Sequence, residues 1–252
     1  TNARTKQNST KEKVVERLEA KIFKHDLLEN KVLFIRLDED DVFPPELNGL
    51  IAMQLSARYK RPTIVARLNR EGFNRGSARG MNQSELKDFK SFLLGTGLFE
   101  YAQGHANAFG VSIPNSKLSQ FHEIANEALK DIDFGENVYD VHFARTADAA
   151  DLSELVMDIG KYSGIWGQNN PEPLIYIEGI TIDGNYRIMG SNADTIRIDY
   201  NGMSFLKFKA KEFISELQEK GSCTLNVICR ANINEWCGRI TPQLFVDDYE
   251  II

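Results

Sequence analysis

The sequence predicts an α/β domain followed by a β-barrel domain. Three observations carry this. Between residues 31 and 130, short apolar runs alternate with amphipathic stretches of helical period, the order of an α/β unit. From residue 174 the pattern changes to short strands interrupted by one helical interval. Between them, Asp131-Ile132-Asp133-Phe134-Gly135-Glu136-Asn137 is polar and glycine-bearing, as a boundary is.

At 252 residues the chain is long enough for two cores. A hydrophobic share of 42% with 26% charged residues is that of an ordinary globular chain, so fibrous and low-complexity classes fall away. A net charge of -6 excludes general coating of DNA or membranes and confines any nucleic-acid contact to a patch. No apolar run is long enough to span a bilayer, and residues 1–13 are too polar for a signal peptide, so a cytoplasmic location is expected. Cys223, Cys229 and Cys237 are odd in number and closely spaced, which favours free thiols over a disulfide framework or a zinc site. The start at Thr1 leads us to expect a piece cut from a longer protein.

Taken in order, Ser9 or Thr10 caps a helix running to about Leu28, with Val14, Leu18 and Ile22 on its apolar face. Residues 1–30 then serve as a connecting helix. Residues 31–37 read as a buried strand, and Asp38-Glu39-Asp40-Asp41 as a solvated loop, since carboxylates in a row seldom converge on one ion. Pro44 and Pro45 open a helix whose apolar face holds Leu47, Leu50, Ile51 and Leu55. Strands follow at 62–68 and 74–80, a helix from Ser84 to Leu94, a strand at 108–113 and a helix at 115–130. Its inward side is Leu118, Phe121, Ile124, Ala125 and Leu129.

A bridging segment, 133–173, contains a strand at 138–144 and a helix at 151–162. Beyond it come strands at 174–182, 186–189, 195–200 and 204–209, with Asp183-Gly184-Asn185 turning the first hairpin. A helix at 211–219 interrupts before strands at 223–231 and 240–249. Strands, one helix, then strands is the order of a Greek-key barrel of the OB type over residues 174–252.

The functional signal lies between Gly72 and Gly110. There Arg75-Gly76-Ser77-Ala78-Arg79-Gly80 is followed by Tyr101-Ala102-Gln103-Gly104-His105-Ala106-Asn107-Ala108-Phe109-Gly110. Glycine lets a backbone approach a ligand closely, and arginine, serine and histidine supply donors, so the pair of turns suggests an anion pocket. From Arg58 to Arg79, seven basic residues face one acid, Glu71. On residues alone, a solvated arginine face and glycines serving ordinary turns remain equally open.

At this point the residues resemble a family, the RecJ-type single-strand-specific exonucleases of the DHH phosphoesterase superfamily, and in particular their C-terminal half. The resemblance covers most of residues 14–250 in the family's order. Asn48-Gly49-Leu50-Ile51-Ala52-Met53-Gln54-Leu55 and Tyr59-Lys60-Arg61-Pro62-Thr63-Ile64-Val65 are similar to the helix and strand that open the DHH-associated domain. Gly76-Ser77-Ala78-Arg79 matches its Gly-Ser-Ala-Arg turn, and residues 104–110 resemble its Gly-Gly-His-x-x-Ala-x-Gly motif. Trp166-Gly167-Gln168-Asn169-Asn170-Pro171-Glu172-Pro173 resembles the segment that introduces the family's OB domain, and Asn234-Glu235-Trp236-Cys237-Gly238-Arg239 fits its last hairpin. Gln103, Gly80 and Asn169 depart from the pattern, standing where the family usually has glycine, serine and glycine.

The resemblance implies a DHH-associated α/β domain at 31–132, an OB-fold barrel at 174–252, and a parent enzyme that cleaves single-stranded DNA from its 5′ end in DNA repair and recombination. It implies a divalent metal, Mn or Mg, held by an Asp-His-His motif in a preceding N-terminal DHH domain. That motif does not occur here, and His25, His122 and His142 are isolated. This chain would then need no cofactor of its own, be inactive alone, and hold the single strand for that domain. Arg79 is the expected phosphate clamp, helped by Ser77, Arg75, Gly76 and Gly104. His105 is the expected catalytic contact, and Trp236 and Arg239 extend the track. Trp166 is expected as a core anchor joining the domains. Two other readings are a DHH-family phosphodiesterase of short oligonucleotides or cyclic dinucleotides, and a non-catalytic single-strand-binding module.

Overall fold

The computed structural model describes residues 2–41, 43–167 and 170–252, and for residues 2–11 the backbone alone. The chain divides into two compact units, Thr1–Val138 and Tyr139–Ile252.

In the first unit, helix α1 (Asn2–Lys24) precedes β1 (Leu33–Leu37), α2 (Asn48–Tyr59), β2 (Thr63–Leu68), β3 (Phe73–Arg79), α3 (Phe89–Gly95), β4 (Tyr101–His105), β5 (Ala108–Pro114) and α4 (Leu118–Ala128). The strands form one sheet in the order β1-β2-β3-β5-β4, with β1 and β2 parallel and the remaining pairs antiparallel. Strand alternation divides the apolar residues between two faces. Leu33, Ile35, Leu37 and Val65 pack with Val15, Leu18 and Ile22 of α1 and Ile51, Ala52 and Leu55 of α2. Phe34, Ile64, Ala66, Ala78, Val111 and Ile113 face the other way, onto Phe89 and Leu93 of α3 and Phe121 and Ala125 of α4.

Several expectations need correction here. Helix α1 begins at Asn2, so Ser9 and Thr10 lie inside it, where only the backbone is described. Ser84 does not cap α3. It is buried, its hydroxyl donating to the carbonyls of Met81 and Leu86, and Asp88 caps instead by accepting from the Ser91 amide. Leu50 is 41% exposed, because the buried series Leu47, Ile51, Leu55 repeats every four residues and leaves it out of phase. In the acidic run Asp38, Glu39 and Asp40 are exposed, as in a solvated loop, but Asp41 is only 4% exposed and accepts from the Asp38 amide, Lys21 Nζ and Arg17 Nε. A buried carboxylate needs such partners, and here they tie α1 to the end of β1. Tyr101–His105 forms an edge strand, paired with β5 across a tight turn at Ala106 and Asn107.

The second unit contains β6 (Phe143–Thr146), α5 (Leu152–Gly160), β7 (Leu174–Ile182), β8 (Tyr186–Met189), β9 (Thr195–Tyr200), β10 (Met203–Phe208), α6 (Lys211–Lys220), β11 (Cys223–Trp236) and β12 (Arg239–Ile251). They form one sheet, β6-β7-β11-β12-β10-β9-β8, with β6–β7 and β10–β12 parallel. Its core joins Leu152, Val156 and Ile159 of α5 and Phe213, Ile214 and Leu217 of α6 to the strands.

The hairpin expected at Asp183-Gly184-Asn185 does not form, since β8 pairs with β9 and not with β7. The Asn185 amide group donates to the carbonyls of Thr181 and Asp199, bending the chain from the β7 ladder into the β9 ladder. The two ends of the sheet, β6 and β8, are not paired with each other, and the ladder stays open among the described residues. Strands β11 and β12 run beyond their expected ends to meet at Cys237 and Gly238, whose φ values of 49° and 74° are those of a two-residue hairpin turn. Trp166 packs against this unit's core, and Gln168 and Asn169 lie outside the described residues.

Candidate functional site

The glycine and arginine signal resolves into one sheet face. Residues directly opposite in a sheet share a face, and alternate residues along a strand return to it. Arg79 and His105 both pair with Ala108, from β3 and β4, so the three form a row. The next row is Ser77, Gly110 and Gln103, and the next Arg75, Ser112 and Tyr101. Small residues on the central strand thus floor a trough, with Arg79, Ser77 and Arg75 on one side and His105 and Gln103 on the other. A Cβ built on Gly110 would meet nothing nearer than 3.8 Å, so the space above the floor is open. Helix α2 shares this face over β2 and Val65 of the core beneath it.

Arg79 is half-buried. Its guanidinium lies against the first turn of α2, where Nη2 would stand 2.3 Å from a Cβ on Gly49, and Nη1 donates to the Ala78 carbonyl at 2.7 Å. Burial lowers its pKa, yet guanidinium stays protonated at neutral pH. Among the described residues no carboxylate pairs with it. A half-desolvated cation with no carboxylate is suited to receive an anion. Arg75 is different, being already held by Glu71 and Glu100 at 3.3 and 3.7 Å.

The wider basic island does not form a patch. Arg58 pairs with Glu19, Arg61 donates to the carbonyls of Leu28 and Asn30, and Arg67 donates to those of Asp38 and Asp41. Arg58 thus ties α2 to α1, and the other two side chains brace loops. Gly76 and Gly104 are also structural. A Cβ on Gly76 would fall 2.0 Å from the Val65 carbonyl oxygen, and one on Gly104, at φ 138°, would fall 2.8 Å from that of Ala108. Both glycines are demanded by close backbone approach within the sheet, not by a turn.

In the second unit, Trp236 and Arg239 face each other across the β11–β12 tip, with Asn234 and Thr241 one step further on the same side. With Arg197 they line a groove of about 460 Å³. Trp236 is 75% exposed, a large apolar area to leave in water without a contact to make. Arg197 went unnoticed in the sequence. The alternation of β9, with Ile196 and Ile198 buried, is the signal that turns it outward. That Gln103 and Gly110 share a row with Ser77 follows only from the strand register.

Among the described residues no three of His, Cys, Asp or Glu are grouped to hold a metal ion, so the donor set for a resident divalent cation is not met here. Nor is any helix among them long and apolar enough to cross a membrane.

Residues 146–248 match the family model described as the RecJ OB domain. A protein of Bacillus subtilis (strain 168), named as an SPbeta prophage-derived single-strand DNA-specific exonuclease, is 31% identical over 258 residues, taking in 100% of this chain and 44% of its own length. The single-stranded-DNA-specific exonuclease RecJ of the same bacterium is 28% identical over 216 residues, 81% of this chain and 26% of that protein. The solved structure of RecJ from Thermus thermophilus with Mn2+ superposes with a TM-score of 0.56 at 16% identity, covering 98% of this chain and 35% of that one, a likeness of fold. The chain spans less than half the length of the curated relatives it matches.

Proposed function

We propose that the chain, a relative of the C-terminal part of the RecJ-like single-strand-specific exonucleases, is the strand-holding part of such a nuclease. The observation that carries the reading is the row Arg79, Ala108, His105 beside an open, small-residue trough. A phosphodiester backbone lying in that trough meets a guanidinium on one wall and an imidazole on the other. Arg79 donates two parallel hydrogen bonds to phosphate oxygens, and its contact with α2 fixes it before the strand arrives. His105 donates to a phosphate oxygen or to the leaving oxygen.

In this reading the first unit is a DHH-associated domain and the second an OB-type barrel left open along one seam. The barrel's groove at Trp236, Asn234 and Arg239 takes bases by stacking and phosphates by charge, its Arg197 being already paired with Asp199 at 2.8 Å. Hydrolysis, from the 5′ end, would belong to an N-terminal DHH domain, where bound Mn or Mg would supply the activation of water. The residues of this chain contribute grip and orientation, and the chain alone has no nuclease activity.

Binding of the chain to labelled single strands and to duplex, measured across a salt series, tests the proposal. Preference for single strands with affinity falling steeply as salt rises supports it, each phosphate contact adding about 0.7 to the logarithmic slope. Equal affinity for duplex, or binding indifferent to salt, contradicts it.

A further inference from the structure

The two walls of the trough come from different hairpins, and besides their shared pairing with Ala108 a further contact links their ends. One residue links them, its backbone bonded to Gly80 and its side chain to the segment between β3 and α3 and to the first amide of α3. Asn107, in the turn two residues beyond His105, accepts from the Phe89 amide through Oδ1 at 3.2 Å. Its Nδ2 donates to Asn82 Oδ1 at 3.0 Å and to the Lys87 carbonyl at 2.9 Å. Its backbone carbonyl accepts from the Gly80 amide at 3.0 Å, one residue beyond Arg79. The carboxamide thus has all its main donors and an acceptor engaged, in the start of α3 and in the segment leaving β3.

Gly80 is the other half of the arrangement. A Cβ there would stand 2.1 Å from Asn107 Oδ1 and 2.8 Å from Asn107 Cγ. The absent side chain of Gly80 is the space the carboxamide occupies. This accounts for the glycine found where the resembling turn commonly has serine: a serine side chain and the Asn107 carboxamide cannot share that space. The turn is held on its other side as well, since Lys90 donates from its amide to the Ala106 carbonyl and from Nζ to the Gly104 carbonyl, both at 2.9 Å.

We propose that Asn107 is the positioning residue of this face, its carboxamide seated in the space left by Gly80 and holding the strand end that bears Arg79 and the turn that bears His105 in one fixed relation. It touches no substrate. Its geometry stands by itself, while its effect on strand binding rests on the strand-holding reading.

The test uses the whole chain with Asn107→Ala and Asn107→Asp. The aspartate keeps an acceptor for the Phe89 amide but cannot donate to Asn82 or Lys87, and it provides a folded variant if the alanine does not give one. The first readout is the NMR resonances of the Arg79 Nε–H group and the His105 ring. Both are expected to move in either folded variant, and rigidity lost at both walls weakens a labelled oligothymidylate by about fivefold or more. Restoring the carboxamide as Asn107→Gln, one methylene longer, is expected to recover only part of the affinity. Arg79 and His105 resonances that stay in place in a folded Asn107 variant overturn the proposal, whatever the melting temperature does. A different result separates the two readings. If Arg79→Ala binds the oligothymidylate as wild type does, the strand-holding reading falls, and the resonances alone decide the positioning role.

Discussion

Arg79 and His105 face the same residue, Ala108, from the two strands on either side of it. They are separated by 26 positions in the chain and by two strand spacings in the sheet, roughly 10 Å. That span is wide enough for a phosphate and its ester oxygens and narrow enough for both side chains to reach one of them. The relationship depends on small residues between the walls, and the first predictions probe that dependence.

Gly76 and Gly110 lie on β3 and β5 but have opposite needs. Gly76→Ala sets a Cβ 2.0 Å from the Val65 carbonyl and 2.6 Å from the Ala66 Cα, both backbone, so β2 and β3 must part. We expect a loss of about 3 kcal/mol in urea unfolding. Gly110→Ala enters open space and should change stability by about 0.5 kcal/mol or less, while a bulkier Gly110→Leu, filling the trough, should weaken strand binding without unfolding the unit. Equal stability losses at the two positions would show that the trough is not open.

His122 sits on α4 between Phe34 and Phe121, with ring centroids 6.2 and 5.7 Å away, and its Nδ1 is buried without a partner among the described residues. Burial lowers its pKa below the ordinary histidine value. The unfolded chain therefore takes up a proton that the fold refuses once pH drops below about 6.5. Above that pH both states are neutral and the residue contributes no pH dependence. Stability should fall as pH is lowered from there toward the depressed folded pKa, by up to about 1.4 kcal/mol per pH unit. His122→Leu should flatten that part of the profile. Parallel slopes for the two proteins between pH 7 and 5 would rule out the assignment.

At the β11–β12 tip, the two candidate contacts should separate by salt. Trp236→Ala should cost about 1–3 kcal/mol of strand affinity and leave the salt slope alone, as stacking releases no counterion. Arg239→Ala should cost less at moderate salt and reduce the slope by about 0.7. If both variants change only the slope, Trp236 does not stack.

The order of elements and most of their buried faces could be read from the sequence, because period-two and four-residue apolar spacings are local. Phe121 and Ala125 on α4, or Ile196 and Ile198 on β9, need no partner to be recognised. Register is a different kind of information. That Arg79, Ala108 and His105 share a row follows from pairing between strands distant in the chain, which no local pattern states. For the same reason the basic run from Arg58 to Arg79 suggested one patch, although Arg58, Arg61 and Arg67 are spent on carboxylate and carbonyl partners elsewhere in the unit. Asp183-Gly184-Asn185 has the chemistry of a hairpin turn, but the reach of Asn185 to Asp199 decided otherwise. Charge and turn residues show what a segment can do; pairing decides what it does.

The central claim, that Arg79 and His105 grip one phosphate, is tested most directly by the pair of variants in two assays. Arg79→Ala in this chain should weaken single-strand binding by about 1.5–3 kcal/mol, the scale of a charge-assisted hydrogen bond. His105→Ala should cost less in binding, and in the full-length nuclease should lower turnover more than affinity, since a contact made in the transition state is read in the rate. Thermal melts of both should match wild type, as neither side chain lies in a core cluster. Unchanged affinity and turnover in a folded Arg79→Ala protein would contradict the account at its central residue.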